Sequence, residues 1–307
     1  MASAMATTLA SRPAPRGRAR TLRRVALVLA VLAVVVLVWE GAKFLGGVPW
    51  RLPWQGPGDP ILHRPPFKWA FVNDLNLPHV WDIAYALLQP FERGSEQNLA
   101  QGLFDAALYT WREAGIGFLV GALLGLVLAT LFVHSRLLER AFVPYVVASQ
   151  TIPIIALAPM IVFAIGQGVL AVVVVATYLT FFPVTIAMIR GLRSFDPRSM
   201  ELMRSYAASD WHVYWKLRLP ASLPYLFTGL KISATASIVG AIIGEDVGAI
   251  QSGLGRVITT FNQYYITGPE KLWAAILFAA MLGGAFFLVV RGVELVVLRG
   301  RPRAAEG

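Results

Sequence analysis

Five stretches of this chain, residues 25–44, 109–132, 169–189, 221–243 and 272–290, are dominated by apolar side chains over about twenty positions each. A helix needs about 20 such residues to cross ~30 Å of hydrocarbon. In that medium each backbone polar group must be satisfied internally, so each run is expected to be a membrane-spanning helix. A sixth apolar segment, residues 141–165, is interrupted by Pro144, Pro153 and Pro159. The expected fold is all-α, a polytopic membrane bundle of six transmembrane helices. With 57% hydrophobic and 14% charged residues and a mean hydropathy of +0.63, an ordinary soluble domain is excluded.

The 27 Lys and Arg residues test that topology. Eighteen fall in the arm at 1–24, the turn at 134–140, the stretch at 190–220 and the region from Arg291 onward. Eight fall on the opposite side, and Lys231 lies within a span. Cytoplasmic segments carry the positive excess, so both termini are expected in the cytoplasm of a cell (inner or plasma) membrane protein. The net charge of +10 is thus spread by topology rather than gathered into one patch, which argues against a nucleic-acid partner.

Chemistry of its own is not expected. The chain has no cysteine, which excludes disulfides, thiol catalysis and thiolate metal sites. His63, His79, His134 and His212 show no metal-ligand spacing, and no lysine follows a glycine as a phosphate-binding loop requires. The reading is a non-enzyme without cofactor or metal.

Residues 1–24 form a basic arm with six arginines and no acid. A transit peptide and a signal-peptide n-region are both conceivable. Residues 25–44 follow directly, long enough to span and without a small-x-small cleavage site, and Trp39 and Lys43 stand at their end as interface anchors. A retained signal anchor is favoured. Residues 45–108 are an external Pro/Trp-rich loop. The core is expected over 109–298 and a cytoplasmic tail over 299–307.

Within the core, Gly117, Gly121 and Gly125 stand four apart, with Ala129 continuing the row. One helix face is therefore almost bare, which suits close helix approach in lipid. Arg112 and Glu113 are placed at the outer end of that span, within reach of water. The prolines of 141–165, around Gln150 and Thr151, imply irregular backbone, which at membrane depth must face protein or a water-filled cavity. A structural kink and a translocation lining both fit. Ser233, Thr235 and Ser237 either bond local carbonyls or line the same path. Lys231 is expected to snorkel inward. Glu245 and Asp246 open a Gly-rich outer segment, either as an outer mouth or simply solvated.

Residues 190–220 are the polar island between two spans. Asp196-Pro197 is a helix start, a short polar cap followed by proline at the first helical position. Ser209-Asp210 is a second start, followed by Trp211, Val213, Tyr214, Trp215 and Leu217, and Pro220 is expected to stop that helix. Two short helices meeting at Tyr206-Ala207-Ala208 would present apolar side chains to the cytoplasm.

This island resembles the EAA coupling loop of binding-protein-dependent ABC importer permeases. Glu201, Leu217, Leu219 and Pro220 match its spacing, while Leu202, Met203 and Ala207 replace the usual Ala, Ala and Gly. SQTIPIIALAP at 149–159, FFP at 181–183, LPASLPYLFTGLKI at 219–232 and GEDVGAIQSGLG at 244–255 resemble the nitrate/sulfonate/taurine group. The likeness covers roughly residues 110–298. It implies a type I importer-like bundle with a cytoplasmic coupling helix pair, in which Glu201, Ala207, Ser209, Trp211, Trp215, Leu217, Leu219 and Pro220 engage a separate ATP-binding subunit. It further implies an extracytoplasmic substrate-binding protein, a second permease copy and membrane lipid as partners. The 45–108 loop is then either a plain surface loop, which is favoured, or a binding-protein contact, and Glu245 and Asp246 an outer gate or docking point. TWREAGIGF at 110–118 looks closest to permeases for riboflavin or the thiamine pyrimidine, with sulfonates, taurine and nitrate as alternatives. A secondary transporter or channel is disfavoured, because no inverted repeat is found and carboxylates are expected only near helix ends. Where the family has glycine, Ala207 is expected to turn without positive φ.

Overall fold

The computed structural model describes residues 16–52, 54, 59–92, 94–248 and 250–299. The basic arm up to residue 15 and the tail beyond 299 lie outside them. The chain divides into two compact units, residues 1–82 and 83–307.

In the first unit, α1 (Arg16–Leu45) contains the apolar stretch Val25–Leu45, whose most apolar window is entirely unburied. Its end is tied into the segment that follows. Lys43, 1% exposed, donates to Asp74 Oδ1 at 2.6 Å and to the Leu77 carbonyl at 2.8 Å. Glu40 accepts from the Val80 amide at 2.8 Å and lies 2.7 Å from His79 Nδ1. Trp50 packs edge-on against His79 and Trp81, which stack on each other at 4.0 Å. Burial holds the His79 imidazole below its ordinary value, the contact with Glu40 opposing. The Pro/Trp-rich stretch is thus ordered around one end of α1. Lys43, expected as an interface anchor, is instead enclosed, because a carboxylate and a carbonyl satisfy its charge.

In the second unit the helices are α2 (Val80–Ala86, beginning at the boundary), α3 (Leu99–His134), α4 (Arg136–Ser149), α5 (Ile154–Ile165), α6 (Val169–Gly191), α7 (Pro197–Ser205), α8 (Asp210–Val213), α9 (Leu219–Val247), α10 (Leu254–Gln263) and α11 (Pro269–Val297). Across both units, five helical segments are long and apolar enough to span a membrane, or six when the bent pair α4–α5 counts as one. The protein is an all-helical membrane bundle, with no named strand among the described residues.

α6 is the centre of this unit, clasped between α3 and α9. A Cβ on Gly117 would lie 2.4 Å from Ala176 Cβ, one on Gly121 2.6 Å from Thr180 Cβ, and one on Gly125 2.7 Å from the Phe181 carbonyl. The bare face of α3 therefore meets α6 at backbone distance, as its spacing led us to expect. Gly240 and Gly244 bring α9 equally close on the other side, against Ala176 and Val172.

Two further expectations are corrected. α3 begins at Leu99, where Asn98 and Gln101 form a reciprocal capping box. Glu113 accordingly falls well inside the helix, 2% exposed, rather than at a wet end. Pro220 does not stop the helix that starts at Asp210. That helix runs on through a π turn, Tyr214–Arg218, into α9, giving one element from Asp210 to Val247. The Leu219 amide reaches back five residues to the Tyr214 carbonyl, and the widened turn accommodates a proline that has no donor of its own. Lys231 has a partner that the sequence did not announce. Its Nζ lies 2.9 and 2.8 Å from the two carboxylate oxygens of Glu294 on α11.

Candidate functional site

The polar island at 190–220 folds as its caps dictate. Asp196 accepts from the Arg198 amide at 3.0 Å ahead of Pro197, and Ser209 caps the helix beginning at Asp210. Between them the chain reverses at Ala207, whose φ is +51°. The Ala208 amide donates to the Met203 carbonyl at 3.0 Å and the Ala207 amide to Arg204 at 2.9 Å. This nested pair is a Schellman C-cap, which requires a left-handed residue at the position Ala207 fills. The expectation that this turn avoids positive φ is overturned, the two nested hydrogen bonds holding Ala207 in the left-handed region.

The result is an apolar surface. Trp211 and Trp215 are exposed, with ring centroids 5.4 Å apart, and Leu202 and Tyr206 beside them are exposed as well. Glu201 and Ser209 also face outward, while Leu217, Leu219 and Pro220 are half-buried where the surface joins α9. Beneath it Tyr214 Oη lies 3.0 Å from Thr130 Oγ1 on α3, and Val213 is buried. A second tether lies just upstream. Arg193 donates through both terminal nitrogens to Glu139 on α4, at 2.8 and 2.7 Å. Nothing in the sequence announces these two pairs, since their partners lie far apart in the chain.

α4 and α5 bend by 104° at the break that carries Gln150 and Thr151. Thr151 Oγ1 donates to the Ala148 carbonyl at 2.7 Å and Gln150 Nε2 to Ser149 Oγ at 3.4 Å. Tyr178 on α6 donates its hydroxyl to the Ser149 carbonyl, bracing the corner. On α9 the three hydroxyls diverge. Ser233 is buried and donates to the Thr180 carbonyl of α6 at 2.9 Å. Ser237 is buried on the Ala234 carbonyl at 2.9 Å, and Thr235 is exposed and donates to Ile232 at 3.0 Å.

At the other end of α9, Glu245 is fully buried rather than lying at an open mouth. Its Oε2 accepts from the Gly255 amide at 2.7 Å. A Cβ on Gly253 would lie 2.4 Å from the Glu245 carboxyl carbon, so the glycine turn folds directly over this side chain. Glu113 is buried nearby with neither carboxylate oxygen hydrogen-bonded among the described residues, and Thr110 Oγ1 accepts from the Leu254 amide at 2.9 Å. Asp246 stays exposed and accepts from Thr259 Oγ1 at 2.7 Å. Carboxylates inside this bundle were not expected from the sequence. Of their four oxygens only Glu245 Oε2 has a hydrogen-bond partner among the described residues, while Glu245 Oε1 and both oxygens of Glu113 are buried without one.

Residues 121–299 match the sequence profile of the family described as binding-protein-dependent transport system inner membrane component. The chain belongs to that family. It is 33% identical over 242 residues to the formylaminopyrimidine transport permease protein ThiX of Halalkalibacterium halodurans, covering 75% of this chain and 94% of that protein. It is 30% identical over 166 residues to the riboflavin transport system permease protein RibX of Chloroflexus aurantiacus, covering 54% of this chain and 61% of the relative. A putative aliphatic sulfonates transport permease protein, SsuC of Bacillus subtilis, is 30% identical over 207 residues, covering 67% and 74%. Among solved structures, the fold is similar to that of the inward-facing MetNI methionine ABC transporter, with TM-score 0.52 and 21% identity over 66% of this chain and 96% of that one. The protein is thus an ABC importer permease subunit with multiple membrane helices, of a family that works with an ATPase and a binding protein in the inner membrane.

Proposed function

We propose that this permease imports a small nitrogen-heterocyclic nutrient, with a thiamine-pyrimidine precursor as first candidate and riboflavin as second. The supporting observation is the 33% identity that runs over 94% of ThiX. Sulfonate, taurine or nitrate transport is the alternative, and it rests on relatives such as SsuC of Bacillus subtilis. Two copies of the chain form the pathway, with both termini in the cytoplasm and lipid around the bundle. The chain itself carries no ATPase site, cofactor or metal.

In this reading Glu201, Ala207, Ser209, Trp211, Trp215, Leu217, Leu219 and Pro220 dock the ATPase. The exposed Trp211 and Trp215 enter its groove, and Glu201 orients the first helix. Because α8 continues into α9 without a stop, motion at the docking surface passes directly into a span. Gln150 and Thr151 at the bend and the exposed Thr235 border the pathway, whereas Ser233 and Ser237, buried on carbonyls of α6 and α9, hold the bundle rather than line it. Glu245 acts on the outer gate by holding the glycine turn, and Asp246 flanks it at the surface.

The test is reconstitution with the cognate ATPase and binding protein. ATP hydrolysis should rise when the binding protein is loaded with formylaminopyrimidine, and Trp215→Ala should abolish that rise without preventing membrane insertion. Stimulation by a sulfonate instead would reassign the substrate. Normal uptake by Trp215→Ala would mean that the docking surface lies elsewhere.

A further inference from the structure

Phe67, Trp69 and Phe71 alternate along an extended segment and stack into a ladder. Phe67 and Trp69 are 6.2 Å apart and 6° from parallel, and Trp69 and Phe71 are 6.1 Å apart and 5° from parallel. Three large rings, 57%, 37% and 68% exposed, stand in a row left open by the described residues. Solvation in water is unfavourable for such a row, since each ring brings a large apolar area.

The place of the ladder is fixed by backbone bonds. The Phe67 amide donates to the Leu45 carbonyl at 3.1 Å, and the Gly47 amide to the Phe67 carbonyl at 3.1 Å. Trp69 lies flat against Gly46, where a Cβ would come within 2.4 Å of its ring. The ladder therefore begins at the last residue of α1. The candidate span of α1, Val25–Leu45, has 21 residues, Glu40 and Lys43 among its last six, and a wholly unburied apolar window. At ~1.5 Å per residue it is about 31 Å long, the thickness of the hydrocarbon layer. With α1 in lipid, its end and the rings attached to it come to rest at the headgroup level, where aromatic side chains are favoured. The apolar surface is continuous from Leu45, itself exposed, to Phe67.

We propose that Phe67, Trp69 and Phe71 form an interfacial anchor that inserts into the leaflet at the outer end of α1, with lipid as its occupant. The anchor holds the first unit flat on the membrane and sets its height. It is independent of which solute the permease carries.

The chain has no cysteine, so single labels report cleanly. Full-length protein carrying Phe71→Cys or Phe67→Cys, spin-labelled and reconstituted in phosphatidylethanolamine/phosphatidylglycerol vesicles, is probed with oxygen and a water-soluble nickel chelate. Val38→Cys on α1 is the lipid reference and Arg64→Cys the water reference. The proposal expects both ladder labels to favour oxygen over nickel, as Val38→Cys does, and Phe71→Asp in the Phe67→Cys background to move the ratio toward water. Nickel accessibility equal to that of Arg64→Cys would overturn it. Protection from both reagents would also overturn it, since protein and not lipid would then cover the rings. Two label sites guard against one substitution disturbing the fold.

Discussion

Lys231 on α9 and Glu294 on α11 form a two-point ion pair, the ammonium lying 2.9 and 2.8 Å from the carboxylate oxygens, with 24% and 18% of the two side chains exposed. Each removes the other's cost in a bundle flanked by lipid. Removing one partner of a fully enclosed pair costs about 3–5 kcal/mol, and the residual exposure lowers this to about 1–3 kcal/mol. Lys231→Met and Glu294→Met should each lower the melting temperature in detergent. The double substitution should restore most of the loss, because the pair is strongly non-additive. Additive losses would show that the pair carries no coupling.

Ala207 should be improved by glycine. Holding an L-residue in the left-handed region costs on the order of 1–2 kcal/mol, partly offset by the larger unfolded-state entropy of glycine, about 0.4–1 kcal/mol. Ala207→Gly is expected to stabilise the assembled transporter by about 0.5–1 kcal/mol in thermal unfolding. A lower melting temperature would contradict the left-handed cap.

The glycines of α3 should respond in opposite ways. A Cβ at Gly121 would meet Thr180 Cβ at 2.6 Å and the Thr177 carbonyl at 2.8 Å, whereas a Cβ at Gly115 meets nothing within 4 Å. Gly121→Ala should force α3 and α6 apart and reduce folded yield, at a cost of about 1–3 kcal/mol. Gly115→Ala should be neutral or gain about 0.5–1 kcal/mol of helix stability. Equal behaviour of the two would mean that α3 does not meet α6 along the glycine row.

Glu245 should tolerate glutamine and not alanine. The glutamine carbonyl can still accept from the Gly255 amide, and its NH2 group can donate to Glu113. Alanine leaves the Gly255 amide buried and unpaired, which costs about 1–3 kcal/mol. Protease sensitivity of the 248–255 turn would report the difference, and a stable Glu245→Ala protein would remove Glu245 as the support of that turn.

The first unit should weaken in acid. His79 has its folded-state pKa lowered by burial, so above the ordinary value of about 6.5 it is neutral whether folded or not. As pH falls through about 6.5 the unfolded chain takes up the proton first, and stability is lost until the folded value is reached. Tryptophan near-ultraviolet dichroism should therefore fade as pH falls through and below about 6.5. His79→Gln should flatten that dependence, and an unchanged slope would assign it to another group.

Spans, caps and the glycine face were legible because each is written in local spacing. Asp196 and Ser209 cap helices through residues within three positions of themselves, and Gly117, Gly121 and Gly125 mark their face by a four-residue period, whereas the equally local cap at Asn98 was passed over because the apolar run begins only at Tyr109. The pairs Arg193–Glu139, Lys231–Glu294 and Tyr214–Thr130 join residues 54, 63 and 84 positions apart. No local pattern carries such information, so the enclosed carboxylates were misplaced to wet helix ends. Pro220 misled for the opposite reason. It is a strong local stop signal, overridden by a single π turn.

That π turn makes Asp210–Val247 one 38-residue rod, which at ~1.5 Å per residue measures about 57 Å. Trp211 sits on its first turn, and Glu245, bonded to the Gly255 amide, on its last. Pivoted at one end, such a rod turns a tilt of about 5° into a displacement of about 5 Å at the other. The permease therefore needs no relay of separate switches between its two faces. Its leverage is set by helix length, and a flexible insertion at the π turn would cut the stroke while leaving both ends intact.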